Sequence, residues 1–104
     1  MVLARMTIWK FKHGNREQGV NALYELLTGL ARSEKGFLGS MSLLSQDDEN
    51  TITTMSIWET EGARADSDRF YKKAYETVQE SLEGFPEVKK FRVYSAELKV
   101  GLHQ

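Results

Sequence analysis

The stretch Lys35–Leu44, KGFLGSMSLL, and the stretch Thr51–Glu59, TITTMSIWE, decide the fold. Both are rich in strand formers, and Asp47-Asp48-Glu49-Asn50 between them is solvated turn chemistry. They predict an antiparallel hairpin, with strand two over Phe37–Ser45 and strand three over Thr51–Glu59. With residues 47 to 50 as the loop, Gln46 opposes Thr51 and Gly39 opposes Trp58. A glycine there would leave room for the indole.

Upstream, Ala4 to Lys12 alternates, with Met6 and Ile8 on one side and Thr7, Trp9 and Phe11 on the other, which predicts strand one. His13-Gly14-Asn15 breaks it. Asn15 followed by Gln18 has the spacing of a capping box, and Val20, Leu23, Tyr24, Leu27, Leu30 and Ala31 then fall on one helical face as far as Arg32. Lys35-Gly36 closes that connection. Downstream of Trp58, Thr60-Glu61-Gly62-Ala63 opens a helical region, Ser67-Asp68 offers a second cap, and a break is expected near Asp66. Tyr71, Tyr75, Val78 and Leu82 carry the helical spacing onward with Phe70 and Ala74 beside them, until Gly84 and Pro86 stop it. A last strand is expected over residues 88–100, followed by a frayed tail at 101–104.

The order strand, helix, strand, strand, helix, strand is the ferredoxin-like βαββαβ plan of the α+β class, a four-stranded antiparallel sheet with two helices on one face. Yet the strands carry apolar residues on both parities: Met6 and Ile8 opposite Trp9 and Phe11, Met55 and Ile57 opposite Ile52 and Trp58. A contiguous apolar face is rarely left in water, and a twofold copy of the same chain is its simplest cover. A homodimer is therefore expected.

Composition bounds the function. With 104 residues, one domain over 1–104 is expected, its core at about 4–99. Charged residues make up 28% and the net charge is −1, so nothing favours nucleic acid or an anionic membrane. No apolar run approaches the ~20 residues of a membrane span. The absence of cysteine removes disulfides and thiolate chemistry and fits a cytoplasmic protein. His13 and His103 have no partners at metal-ligand spacing, so no metal is expected. KGFLGSM faintly echoes an RNA-recognition motif, but that motif belongs on the third strand, and here it precedes the second.

Three segments carry a family resemblance. KHGNRE follows strand one where a Lys-Pro-Gly-like turn is common, EKGFLGSMSLL is similar to a Glu-Pro-Gly-Phe-Leu-type entrance to strand two, and SIWETEGARADSD is similar to a Trp-Glu-x-x-x-Ala opening of helix two. In this order, over roughly Met6 to Tyr94, the chain resembles the antibiotic biosynthesis monooxygenase superfamily. The resemblance implies a dimeric α+β barrel with a pocket between the sheet and the helices of each protomer. It also implies oxidation of a small aromatic or conjugated substrate with no metal, flavin or other cofactor, or else a non-catalytic ligand-binding or stress-related module on the same scaffold. The haem-degrading branch is disfavoured: Thr7 replaces its strand-one asparagine, and Ala74 or Tyr75 stands where it places an iron-binding histidine.

On this basis Trp58 is the expected catalytic residue, with Thr7, Trp9, Thr54, Ser56, Tyr71 and Tyr75 as the substrate pocket. Each also has a purely structural reading. A strand-end tryptophan and tyrosines at helical spacing pack in cores, and threonine is a good strand former. The remaining charges on the helices read as a solvated face.

Overall fold

The computed structural model describes residues 1–97, without the side chain of Ala31. Its elements are β1 (Leu3–Lys10), α1 (Arg16–Ser33), β2 (Phe37–Leu44), β3 (Thr51–Trp58), α2 (Glu61–Asp66), α3 (Asp68–Val78), a 3-10 turn (Gln79–Ser81) and β4 (Glu87–Arg92). The strands form one antiparallel sheet in the order β2-β3-β1-β4. Each helical crossover thus leaves a gap of one strand, and the other crossover's strand fills it. This is the ferredoxin-like α+β arrangement expected from the element order.

Strand parity decides what each face holds. Arg5, Thr7 and Trp9 on β1 and Ile52, Thr54, Ser56 and Trp58 on β3 turn to the helices and are buried, while Met6, Ile8, Met55 and Ile57 turn away and are half-buried. Trp9, Phe11, Leu23, Ile52, Ala74, Val78 and Leu82 make one core cluster, and Leu27, Leu30 and Trp58 a second. Burying a tryptophan ring of ~150–250 Å² contributes about 4–6 kcal/mol before its entropy cost, so Trp9 and Trp58 dominate these clusters.

Several expectations are corrected. The capping box is absent: Asn15 N–H bonds Lys12 O at 3.0 Å, and this turn holds Asn15 in the right-handed helical region. A side-chain cap needs an extended backbone, and none forms. The apolar face of α1 centres on Leu23, Leu27 and Leu30, leaving Tyr24 at its edge and exposed. β1 ends at Lys10, two residues early, and Phe11 continues only as an isolated bridge to Leu82. The hairpin register differs by one: Ser45 N–H bonds Thr51 O at 3.2 Å, Gly39 opposes Ile57, and Phe37 opposes Trp58 across a bulge between Phe37 and Gly39. Gly39 therefore makes no room for the indole. β4 is observed over Glu87–Arg92 and stops short of the expected strand. Arg92 pairs with Leu3, the first residue of β1, so residues 93–97 have no strand to continue along and leave the sheet after one Val93 N–H bond to Val2 O at 2.9 Å. Residues 98–104, with the end of the expected strand and the tail, lie outside the described residues.

The expected helix break is found. Thr60 Oγ1 caps α2 by accepting from Ala63 N–H at 3.1 Å, and the fully buried Ser67 separates α2 from α3. Gly36 is required at its position: its φ is +87°, and a Cβ there would stand 2.7 Å from Ala63 Cβ. Gly19 is required for a different reason, since a Cβ would enter the ring of the fully buried Phe11. Gly19→Ala should lower stability by about 1–3 kcal/mol despite alanine's better helix propensity. Chemical denaturation checks this, and an unchanged midpoint would show that the ring moves freely.

Candidate functional site

The helix-facing layer holds a run of polar side chains among its aromatics. Leu3 opposes Trp58, Arg5 opposes Ser56, Thr7 opposes Thr54 and Trp9 opposes Ile52 along the β1–β3 ladder. The odd positions of β1 and the even positions of β3 thus bring Arg5, Ser56, Thr7 and Thr54 into one polar strip between Trp58 and Trp9. The sequence placed small hydroxyl residues there, and the fold ties each tryptophan to one of them. Trp58 Nε1–H donates to Ser56 Oγ at 2.8 Å, and Trp9 Nε1–H donates to Thr54 Oγ1 at 3.0 Å.

Ser56 Oγ also shares a hydrogen bond with the Tyr71 hydroxyl from α3. An indole, a serine and a phenol therefore form a continuous chain across the sheet–helix junction. The Arg5 guanidinium lies over the Tyr71 ring, 4.1 Å from its centroid, and bonds Asp68 at the start of α3. Burial pushes the Tyr71 phenol above its ordinary 10.0, with the Ser56 hydrogen bond and the Arg5 charge working the other way. The phenol is thus protonated at neutral pH and available as a donor. Thr7 Oγ1 is buried with no hydrogen-bond partner among the described residues.

Six of the seven residues singled out from the sequence therefore stand on one layer: Thr7, Trp9, Thr54, Ser56, Trp58 and Tyr71. Tyr75 does not join the chain of hydroxyls. It packs at the Trp9–Phe11 cluster and stacks on the exposed Phe85, ring centroids 5.6 Å apart. Arg5, Arg64 and Asp68 were missed. From the sequence Arg64 reads as part of a solvated helix face, yet it is buried. The signal for Arg5 was its parity, shared with Thr7 and Trp9. Among the described residues no group of three or more histidines and carboxylates gathers as metal ligands.

A cavity of about 480 Å³ lies elsewhere, on the far face of the sheet, where Gly39, Met41, Met55 and Ile57 meet the segment Val93–Ala96. Exposed apolar side chains continue that face, among them Met41, Leu43 and Phe91. A second, smaller hollow of about 230 Å³ separates α1 from α3.

Residues 1–67, from the N-terminus to the Ser67 break, match the family model described as antibiotic biosynthesis monooxygenase. No curated protein matches the sequence. Similar solved structures include a candidate antibiotic biosynthesis monooxygenase from Nitrosomonas europaea, 15% identical with a TM-score of 0.80, covering 89% of this chain and 90% of that one. A Nitrosomonas europaea protein of unknown function is 20% identical with a TM-score of 0.78, covering 96% of each chain. SnoaB, a cofactor-independent oxygenase from Streptomyces nogalater, is 15% identical with a TM-score of 0.74, covering 91% of this chain and 95% of its own. Such identities speak for shared fold alone, while the family match rests on the sequence itself. The chain belongs to the antibiotic biosynthesis monooxygenase family.

Proposed function

We propose that the protein is a cofactor-independent monooxygenase for a small aromatic or conjugated substrate, bound at the Trp58–Ser56–Tyr71 chain. The observation that carries this reading is the buried hydroxyl chain, donated to by an indole and flanked by a guanidinium, in a layer that packing alone would fill with aliphatic side chains. The family supports the reaction class.

The chemistry balances without an added reductant. A ring methylene or phenolic carbon acid loses a proton, and the resulting carbanion or enolate gives electrons to dioxygen. The peroxide formed takes up a proton, and loss of water leaves a new C=O on the substrate. One oxygen atom enters the product and the other leaves as water. Arg5 would stabilise the anion, Trp58 would hold Ser56 in place through its N–H, and Tyr71, protonated at neutral pH, would donate to the developing peroxide oxygen. Val88 and Lys90 stand on the same side of the sheet, opposite Thr7 and Arg5, and are exposed, so the β4 edge is the proposed way in.

We also propose a homodimer, closed through the far face of the sheet. Met6, Ile8, Met55 and Ile57 form its centre, and the partner sheet roofs the 480 Å³ cavity.

Tyr71→Phe tests the oxygenase reading with two measurements. Oxygen uptake with a hydroxylated aromatic should fall about tenfold to a hundredfold, whereas Tyr75→Phe should leave it unchanged. The raised phenol pKa adds stability that is present below pH 10.0 and is lost as pH rises through the folded value. Above pH 10.0 the wild type should therefore lose thermal stability more steeply than Tyr71→Phe. Full turnover in Tyr71→Phe would remove the phenol from the mechanism.

One observation favours a second reading, a non-catalytic ligand-binding module. Trp9, Phe11, Ile52 and Trp58 fill the helix-facing layer, and the 480 Å³ cavity lies across the sheet. Shifts on adding a hydroxylated aromatic discriminate: signals of Ser56 and Tyr71 move under the first reading, those of Met41, Met55 and Tyr94 under the second.

A further inference from the structure

Two guanidinium groups are buried at the edge of the proposed site, Arg5 of β1 at 4% exposure and Arg64 of α2 at 8%. Arginine is seldom buried this deeply without full pairing. Both turn to one carboxylate. Arg5 Nη2 donates to Asp68 Oδ1, and Arg64 Nη1 stands 4.0 Å from the same oxygen, beyond hydrogen-bond reach. Among the described residues, Arg5 Nε and Arg64 Nη1 are buried with no hydrogen-bond partner, and so is Thr7 Oγ1, on the same face of β1 as Arg5.

The electrostatics are equally unbalanced. Arg5 and Arg64 share the one carboxylate, and Lys90, which opposes Arg5 in the β1–β4 register, is exposed on the same side of the sheet and adds a third positive charge there. Asp68 itself is 63% exposed, which screens its share of the attraction. Unsatisfied guanidinium N–H groups and uncompensated positive charge are costly inside a protein. A planar oxyanion supplies what both arginines lack, two acceptor atoms and one negative charge.

We propose that Arg5 and Arg64 form a receptor for a carboxylate or enolate, and that the substrate carries such a group beside its aromatic ring. The aromatic part rests on the function proposed above; the anion receptor does not. An anion held by Arg5 stands beside Ser56, the register partner of Arg5 and the middle of the hydroxyl chain. The receptor would thereby fix which edge of the ring meets Tyr71. Asp68 occupies it in the resting protein as a tethered competitor that the substrate displaces.

The test is an NMR titration of the arginine side-chain N–H signals in the full chain with acetate, and with acetamide as its neutral counterpart. Acetate should shift the Arg5 and Arg64 signals saturably, and acetamide should not. Asp68→Asn removes the competitor and should tighten acetate binding roughly fivefold, whereas Arg64→Gln should weaken it about tenfold. A merely structural arginine pair would gain nothing from Asp68→Asn. Equal response to acetate and acetamide, or no gain in Asp68→Asn, overturns the receptor. Oxygen uptake separates the two proposals. Acetate binding with no aromatic oxidised sinks the oxygenase reading alone. A hydroxynaphthoate and its neutral amide consumed equally fast, with no acetate response, sink the receptor alone.

Discussion

Met55→Asp should turn the protein from a dimer into a monomer. Met55 lies near the centre of the far sheet face, opposite Met6 on β1 and Met41 on β2. A stable interface needs ~1,600 Å² in all, and this face offers a continuous apolar surface from Leu43 through Ile57 to Phe91. A twofold axis would bury two new carboxylates per dimer in a layer of methionine and isoleucine side chains. Each costs several kcal/mol, more than an ordinary interface can spare. Light scattering at micromolar concentration should give twice the 11.9 kDa chain mass for the wild type and the chain mass for the variant. A monomeric wild type would sink the homodimer reading outright. A variant that stays dimeric would move the interface to another surface.

Trp58 separates packing from chemistry. Its ring is fully buried, packs with Leu27 and Leu30 from α1, and meets Phe37 edge-on at 5.2 Å. Trp58→Ala should cost about 3–5 kcal/mol whatever the function, because an aromatic-sized cavity opens between sheet and helix. Trp58→Phe keeps most of the volume and removes the N–H that Ser56 accepts. Ser56 and Tyr71 are then free to reorient. If the chain of three positions the substrate, turnover should fall about tenfold to a hundredfold, well beyond what the modest stability loss explains. Thermal unfolding and oxygen uptake, measured on the same sample, decide. Reduced stability with unchanged turnover would make Trp58 a core residue and nothing more.

The fold was legible because parity is robust. In β1 and β3 every second residue had to face the helices, and no shift of a loop could change that. Trp58 faces the helices even though its expected cross-strand partner was wrong. The register itself was not legible. Ser45 Oγ accepts from the N–H groups of Asp47 and Asp48, and the Asp48 carboxylate accepts from Asn50 N–H and Thr51 Oγ1. These side-chain bonds organise residues 46–50 into a five-residue loop, whereas composition alone suggested a four-residue one. The site was half legible for a related reason. Small hydroxyl residues between tryptophans stood out on their strands, while Arg5, Arg64 and Asp68 resembled ordinary surface charge. Only the meeting of β1 with the α2–α3 junction buries the two arginines around one carboxylate.

The bulge at the start of β2 also bears on how such a chain can change length. Because Phe37 pairs with Trp58 and Gly39 with Ile57, Leu38 is a spare residue that points into no ladder position. Losing it would restore a regular strand and leave every neighbour on its present face. Losing Met41 instead would exchange inside for outside along half of β2. The chain can therefore give up a residue at Leu38, whereas a deletion in the middle of the strand turns its inner side chains outward.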